Sequence, residues 1–202
     1  MKEIRLKKVI FFFLILLFAG FDGKSSFAQK KAPIDPMDKG GIFLGFGFGP
    51  AIQYYSGYSA GFGPGFQASF EKGMWKLGPG VLSLGAEMGF SYFGYSGDWD
   101  GKHDAYKYQW FSSIGAVRSA YHYGWNVRGL DTYGGFAAGM RFLIFTSHYS
   151  YEYPDNYNPG NIYPFVGTFV GASYFFNDMI GINGELGYNI NYAQIGMTFK
   201  IQ

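Results

Sequence analysis

The residues best placed to do chemistry are His148, Ser150 and Glu152. On an extended strand alternate side chains share one face. The three would stand in a row, a base beside a hydroxyl it could activate as a nucleophile, with a carboxylate near enough to orient the base. The same stretch carries Tyr149, Tyr151, Tyr153 and Tyr157. As an exposed aromatic loop it offers contact area at low entropic cost, and that is the reading adopted, with no catalytic residue assigned. Asp98, Asp100 and Asp104 could offer oxygens to calcium, but an EF-hand loop needs a further alternate ligand and a distal Glu. Gly97 and Gly101 instead mark turns in a solvated loop. His103 and His122 fall in a loop and a turn without companion ligands, so neither a metal nor a cofactor is expected. The last set is Glu87, Arg118, Arg141 and Glu185, single charges inside otherwise uncharged strands. They suit internal ion pairs or an ion path.

What positions these residues is a text of period two that begins at Gly40. Leu82, Leu84, Ala86, Met88, Phe90 and Tyr92 take one face, and Ser83, Gly85, Glu87, Gly89 and Ser91 the other. Ala193 to Gln202 alternates as cleanly. So do Ile42 to Gly49, Phe62 to Glu71, Gly135 to Ile144 and Met179 to Asn189. Trp110 to Tyr121 has apolar residues on both faces, which suggests a bulge or register change. Tyr163 to Phe175 is apolar on both faces and has no readable orientation. That makes eight strands, six with an apolar side that can be read.

The second face decides which solvent the first one meets. A soluble sheet buries its apolar face and charges the other. Here the other face is Gly, Ser, Gln and Asn with few charges, which suits a narrow barrel interior, while the apolar face suits lipid. The expectation is an all-β fold, a closed antiparallel up-and-down transmembrane β-barrel of eight strands over residues 40–202. An eight-stranded barrel is filled by its own side chains, so Glu87, Arg118, Arg141 and Glu185 should pair in the lumen. With both chain ends on the periplasmic side, the outward loops are Tyr54–Gly61, Gly94–Lys107, Thr146–Asn161 and Tyr188–Asn191. The inward turns are Glu71–Gly80, His122–Leu130 and Phe176–Asp178.

Residues 1–28 read as a cleaved export signal. Lys2, Arg5, Lys7 and Lys8 precede the apolar run Val9 to Phe21, 13 residues long, where a membrane-spanning helix needs roughly 20. Ser26 and Ala28 place the cut before Gln29, and residues 29–39 read as a flexible periplasmic lead-in. The chain holds 16 basic and 14 acidic side chains, of which the leader takes 5 and 2. The remainder is near neutral, so no nucleic-acid partner is expected. Cysteine is absent, which excludes disulfides and thiolate metal sites.

The runs Gly171-Ala-Ser-Tyr-Phe-Phe-Asn-Asp, Gly184-Glu-Leu-Gly-Tyr and Ile195-Gly-Met-Thr-Phe-Lys resemble the small outer-membrane β-barrel proteins abundant in Bacteroidota. The Ser26-Phe-Ala-Gln end of the leader and Gly78-Pro-Gly-Val-Leu-Ser-Leu-Gly extend the match. Such barrels usually end on an aromatic residue, whereas this chain stops at Ile201-Gln202 with Phe199 nearby. The resemblance implies export by the general secretory route, barrel-assembly machinery during biogenesis, and residence among outer-membrane lipid and lipopolysaccharide. It carries over no function. The expected role is structural or surface interaction, with Tyr149, Tyr151, Tyr153 and Tyr157 as the extracellular contact loop. Two alternatives are a narrow conduit or accessory of a secretion machine, and a lipid A-modifying hydrolase using His148 and Ser150. The His-x-Ser pair resembles outer-membrane lipid A deacylase, but Glu152 lies close in sequence and Tyr151 stands where that family has asparagine.

Overall fold

The computed structural model describes residues 37–55, 58–99, 102–125, 127–149 and 158–201. Eight strands run β1 Ile42–Tyr55, β2 Tyr58–Leu77, β3 Gly80–Trp99, β4 Lys102–Gly124, β5 Leu130–Tyr149, β6 Asn158–Phe175, β7 Ile180–Gly187 and β8 Ala193–Ile201. Each pairs antiparallel with the next, and β8 closes on β1 from Ile42↔Ile201 to Phe48↔Ile195. This is the closed up-and-down barrel that the alternation predicts. Closure leaves no sheet edge along the lipid-facing wall, where an unpaired backbone group would cost several kcal/mol.

The outer face is a belt of large apolar side chains: Phe46, Phe66, Met88, Phe136, Val170, Leu186 and Ile195 all stand exposed. Met88 and Val166 each keep 67% of their surface open. Water would penalise such a belt, and hydrocarbon does not.

Two strands differ from expectation. β4 has no bulge between Trp110 and Tyr121. Its register with β5 is unbroken from Tyr106↔Tyr149 to Gly124↔Asp131. Trp110, Ser112, Ile114, Arg118, Ala120 and His122 are buried inward, while Phe111 and Val117 face out. β6 orients just as cleanly, with Phe165, Phe169 and Phe175 inward and Val166, Val170 and Tyr174 outward. Both strands resisted reading for one reason: the lumen is partly packed with apolar side chains, so both faces are apolar.

Several expected loops are strand. β2 continues through Glu71 to Leu77, β4 runs through His122 to Gly124, and β3, β4, β5 and β6 extend far into the outward segments. Beyond the lipid belt the apolar alternation fades, but backbone pairing needs no apolar face.

Two of the upper ladders end beside prolines. The Gly73 amide donates to the Gly41 carbonyl, so odd-numbered residues of β1 and β2 bond one another and even-numbered ones face β8 and β3. Tyr192 N–H donating to Pro50 O, and Tyr188 N–H donating to Thr168 O, give the same parity on β1 and β6. Pro50, Pro64 and Pro164 therefore turn their missing N–H toward β8, β3 and β7. The β1–β8 and β2–β3 ladders stop just below Pro50 and Pro64, at Phe48↔Ile195 and Gly65↔Ser91, while the β6–β7 ladder stops at Phe169↔Gly187, where β7 ends, five positions below Pro164. Above these points, among the described residues, the ladders are those within the β1–β2 hairpin and within β3–β4–β5–β6, and Gly63 of β2 still lies against Tyr92 and Phe93 of β3.

Met88 sits midway along the lipid-facing side of β3. Met88→Arg is expected to destabilise the barrel by about 2–4 kcal/mol, read from denaturant unfolding of protein refolded into lipid vesicles.

Candidate functional site

The densest chemistry lies in the lumen. Arg118, on β4 and 2% exposed, donates to three carboxylates on different strands. Its Nε meets Glu71 of β2 at 2.7 Å, Nη1 meets Glu87 of β3 at 3.0 Å, and Nη2 meets Glu185 of β7 at 2.6 Å. One face of the guanidinium lies 3.6 Å from the Phe169 ring centre. Gln67 donates to Glu87 and Glu185, and Gln194 and Asn189 donate to Glu185. The planar guanidinium suits this role because its donors radiate in fixed directions and can serve several acids at once.

Four residues further along β4, on the same inward face, stands His122. Its Nδ1 lies 2.8 Å from Asp131 of β5 and its Nε2 3.1 Å from Glu71. Two carboxylate acceptors on one ring require two N–H donors, which the imidazolium supplies. Phe43 meets the imidazole edge-on and Tyr133 lies tilted beside it. Ser83 donates to the Glu71 oxygen that faces the histidine and accepts from the Ala120 amide. Glu71 thus joins two cations into one network tying β2, β3, β4, β5, β7 and β8.

Apolar packing fills the lumen above and below this network. On the outward side, Ile190 packs with Ile114, Phe165 and Phe169. Ile190 belongs to the turn between β7 and β8, which folds inward so that Asn189 and Asn191 are also buried. Glycines make the sockets. A Cβ on Gly65 would collide with Asn191, one on Gly89 with Ile190, and one on Gly167 with Asn189. At the end of the barrel where both chain ends lie, Met37 is buried with Phe43, Val81 and Phe175.

Of the expected lumen charges, the structure brings Glu87, Arg118 and Glu185 together. Arg141 does not join them. It lies higher on β5, stacks over Phe165, and donates from Nη2 to the Asn189 carbonyl, holding the inward turn. The reason is spacing: Arg141 sits opposite Ile114, two inward positions above Arg118. Sequence reasoning missed Glu71, His122 and Asp131 as members. The inward parity of Glu71 was visible beside Gln67 and Ser69, and His122 shares the parity of Arg118. Placing both residues in turns hid the connection.

Among the described residues no group of three His, Cys, Asp or Glu side chains is arranged to hold a metal. The backbones of His148 and Tyr149 close β5. Their side chains, and all of Ser150, Tyr151, Glu152, Tyr153 and Tyr157, lie outside the described residues, as do the side chains of Asp98, Asp100 and Asp104.

No protein-family model and no curated protein sequence matches the chain. Similar backbones do occur among solved structures. The attachment invasion locus protein Ail of Yersinia pestis is 10% identical, with 81% of this chain and 100% of that one covered at a TM-score of 0.49. OprG from Pseudomonas aeruginosa is 14% identical over 84% and 99%, at 0.48. Neisserial surface protein A is 12% identical over 80% and 96%, at 0.38.

Removing one partner from a buried ion network leaves uncompensated charge. Arg118→Met is expected to cost about 3–5 kcal/mol, and Arg141→Met distinctly less, in denaturant unfolding. Because protonation discharges the stranded carboxylates, the Arg118→Met deficit should shrink as pH is lowered. A deficit that stays constant with pH would contradict the ionic account.

Proposed function

We propose that the chain is an outer-membrane protein whose filled barrel serves as an anchor and whose outward structure contacts an external partner. The observation that carries this reading is the contrast between the two halves. The lipid-spanning part is packed with Arg118, Phe165, Phe169 and Ile190, while β3 to β6 continue as a tall sheet beyond the point where β7 and β8 stop. A conduit would need an open lumen; a surface receptor or adhesin needs a rigid pedestal. The leader and the apolar belt support export by the general secretory route, barrel assembly, and contact with outer-membrane lipid and lipopolysaccharide. The segment between β5 and β6 in the sequence, with Tyr149, Tyr151, Tyr153 and Tyr157, is the contact loop in this reading, since tyrosine brings large rigid area at low entropic cost.

Two measurements test it. Purified barrel in planar lipid bilayers should pass no discrete current steps, and steady unitary conductance would revive the conduit. Removing residues 149–157 should lower adhesion of expressing cells to cell or matrix surfaces several-fold while surface display is unchanged. Undiminished adhesion would count against the loop.

A further inference from the structure

We infer that Arg141, together with Tyr163 and Ser112, forms a phosphate-binding recess on the inner wall at the outward end of the barrel. The recess stands apart from the contact loop and takes a ligand of different chemistry. The arginines of the lumen differ in what meets their charge. Arg118 reaches three carboxylates. Arg141 reaches none among the described residues: Nη2 donates to the Asn189 carbonyl, and the guanidinium lies over the Phe165 ring. Its Nε–H is buried without an acceptor. Charge withdrawn from water is costly until an opposite charge meets it. The planar fork of guanidinium donors matches phosphate oxygens in geometry.

Two further hydroxyls face the same space. Ser112 stands on the inner face of β4, 3% exposed, and its hydroxyl has no partner. Buried polar groups in that state are rare in folded proteins. Ser112 pairs with Leu143, the inward residue next above Arg141 on β5. A diagonal neighbour of this kind lies within reach of a long side chain. Tyr163 sits directly opposite Arg141 on β6, and so on the same inner face. It is nevertheless 47% exposed, because β7 ends at Gly187 and no ladder covers this part of β6 among the described residues. The recess therefore opens sideways past Tyr163.

The height of the opening bears on what can enter. Ile162, next to Tyr163 and facing outward, is 58% exposed and ends the apolar series on the lipid side of β6, where Asn161 follows. The opening lies at the upper margin of the apolar belt, the level at which lipid headgroups begin. A phosphorylated headgroup can reach it from the side, and a phosphorylated solute from above. Both offer the same chemistry, an anion whose oxygens accept from several directions at once.

The test uses the full mature chain refolded in maltoside micelles, which contain no phosphate. The probes are inorganic phosphate and a bisphosphorylated lipid A, each compared with sodium chloride at equal ionic strength. The reporters are the NMR signals of the Arg141 Nε–H, assigned by its loss in Arg141→Lys, and of the Tyr163 amide. Both should shift saturably with phosphate and not with chloride. Arg141→Gln should weaken phosphate binding about tenfold or more, the loss of a charge-assisted hydrogen bond. Tyr163→Phe and Ser112→Ala should each weaken it several-fold while leaving the unfolding midpoint in phosphate-free micelles unchanged. Arg128→Gln, at the opposite end of the barrel, should bind as the parent does. Should Arg141→Gln fail to fold, Tyr163→Phe and Ser112→Ala make the same test. Saturation at lower concentration by lipid A assigns the recess to a headgroup, and saturation by phosphate with lipid A silent assigns it to a solute; either supports the site. No shift with either probe, or an equal shift with chloride, overturns the inference. An Arg141 signal that moves on Glu152→Gln or Asp155→Asn without phosphate means that the chain's own carboxylate fills the recess, and overturns it too. None of these outcomes touches the adhesion assay, which tests the contact loop by itself.

Discussion

Every peptide group that faces hydrocarbon must find its hydrogen bond within the protein. That constraint shapes the rest of the molecule. It forces the eight strands into a ring, makes β8 return to β1, and imposes one register around the lipid-spanning wall. It also explains where ladders can end. Outside the hydrocarbon, water can satisfy the backbone, and there the β1–β8 and β2–β3 ladders end beside Pro50 and Pro64. Each proline points its missing donor to the side on which pairing has stopped. The same residue type placed lower in any of these strands would leave a carbonyl unpaired in lipid.

The lumen obeys a second constraint, that charge withdrawn from water must be matched. Arg118 reaches Glu71, Glu87 and Glu185, and His122 reaches Glu71 and Asp131, with all six side chains buried. A network of this kind adds little stability over a well-packed apolar core, since desolvation offsets much of the attraction. Its geometric effect is larger. The six members come from five strands, β2, β3, β4, β5 and β7, so the full set of bonds exists only when the ring is closed in the correct register. The inward β7–β8 turn, seated in sockets at Gly65, Gly89 and Gly167, completes the filling.

Much of this was legible in the residues. The alternation at Leu82–Tyr92 and Ala193–Ile201 identified both the strands and their lipid sides, because a strand exposed to two different environments must alternate with period two. The scarcity of charge on the second face pointed to a narrow interior. Trp110 to Tyr121 and Tyr163 to Phe175 were opaque for the same physical reason, run backwards: where an interior is packed with Ile114, Phe165 and Phe169, its face is as apolar as the lipid side. Strand ends were misjudged where lipid ends, since Glu71, His122 and the outward hairpins keep their pairing without an apolar signature.

By itself the sequence determined the class of fold, the number of strands and the presence of paired charges inside, because period, composition and length are local properties. Tertiary structure alone decided which charges meet. Glu185 lies 67 residues from Arg118, and only closure of the ring makes them neighbours, while Arg141 is set apart by the height of its position on β5. It also decided that Asn189 to Asn191 fold inward, since that depends on the unequal heights to which strands distant in sequence are paired.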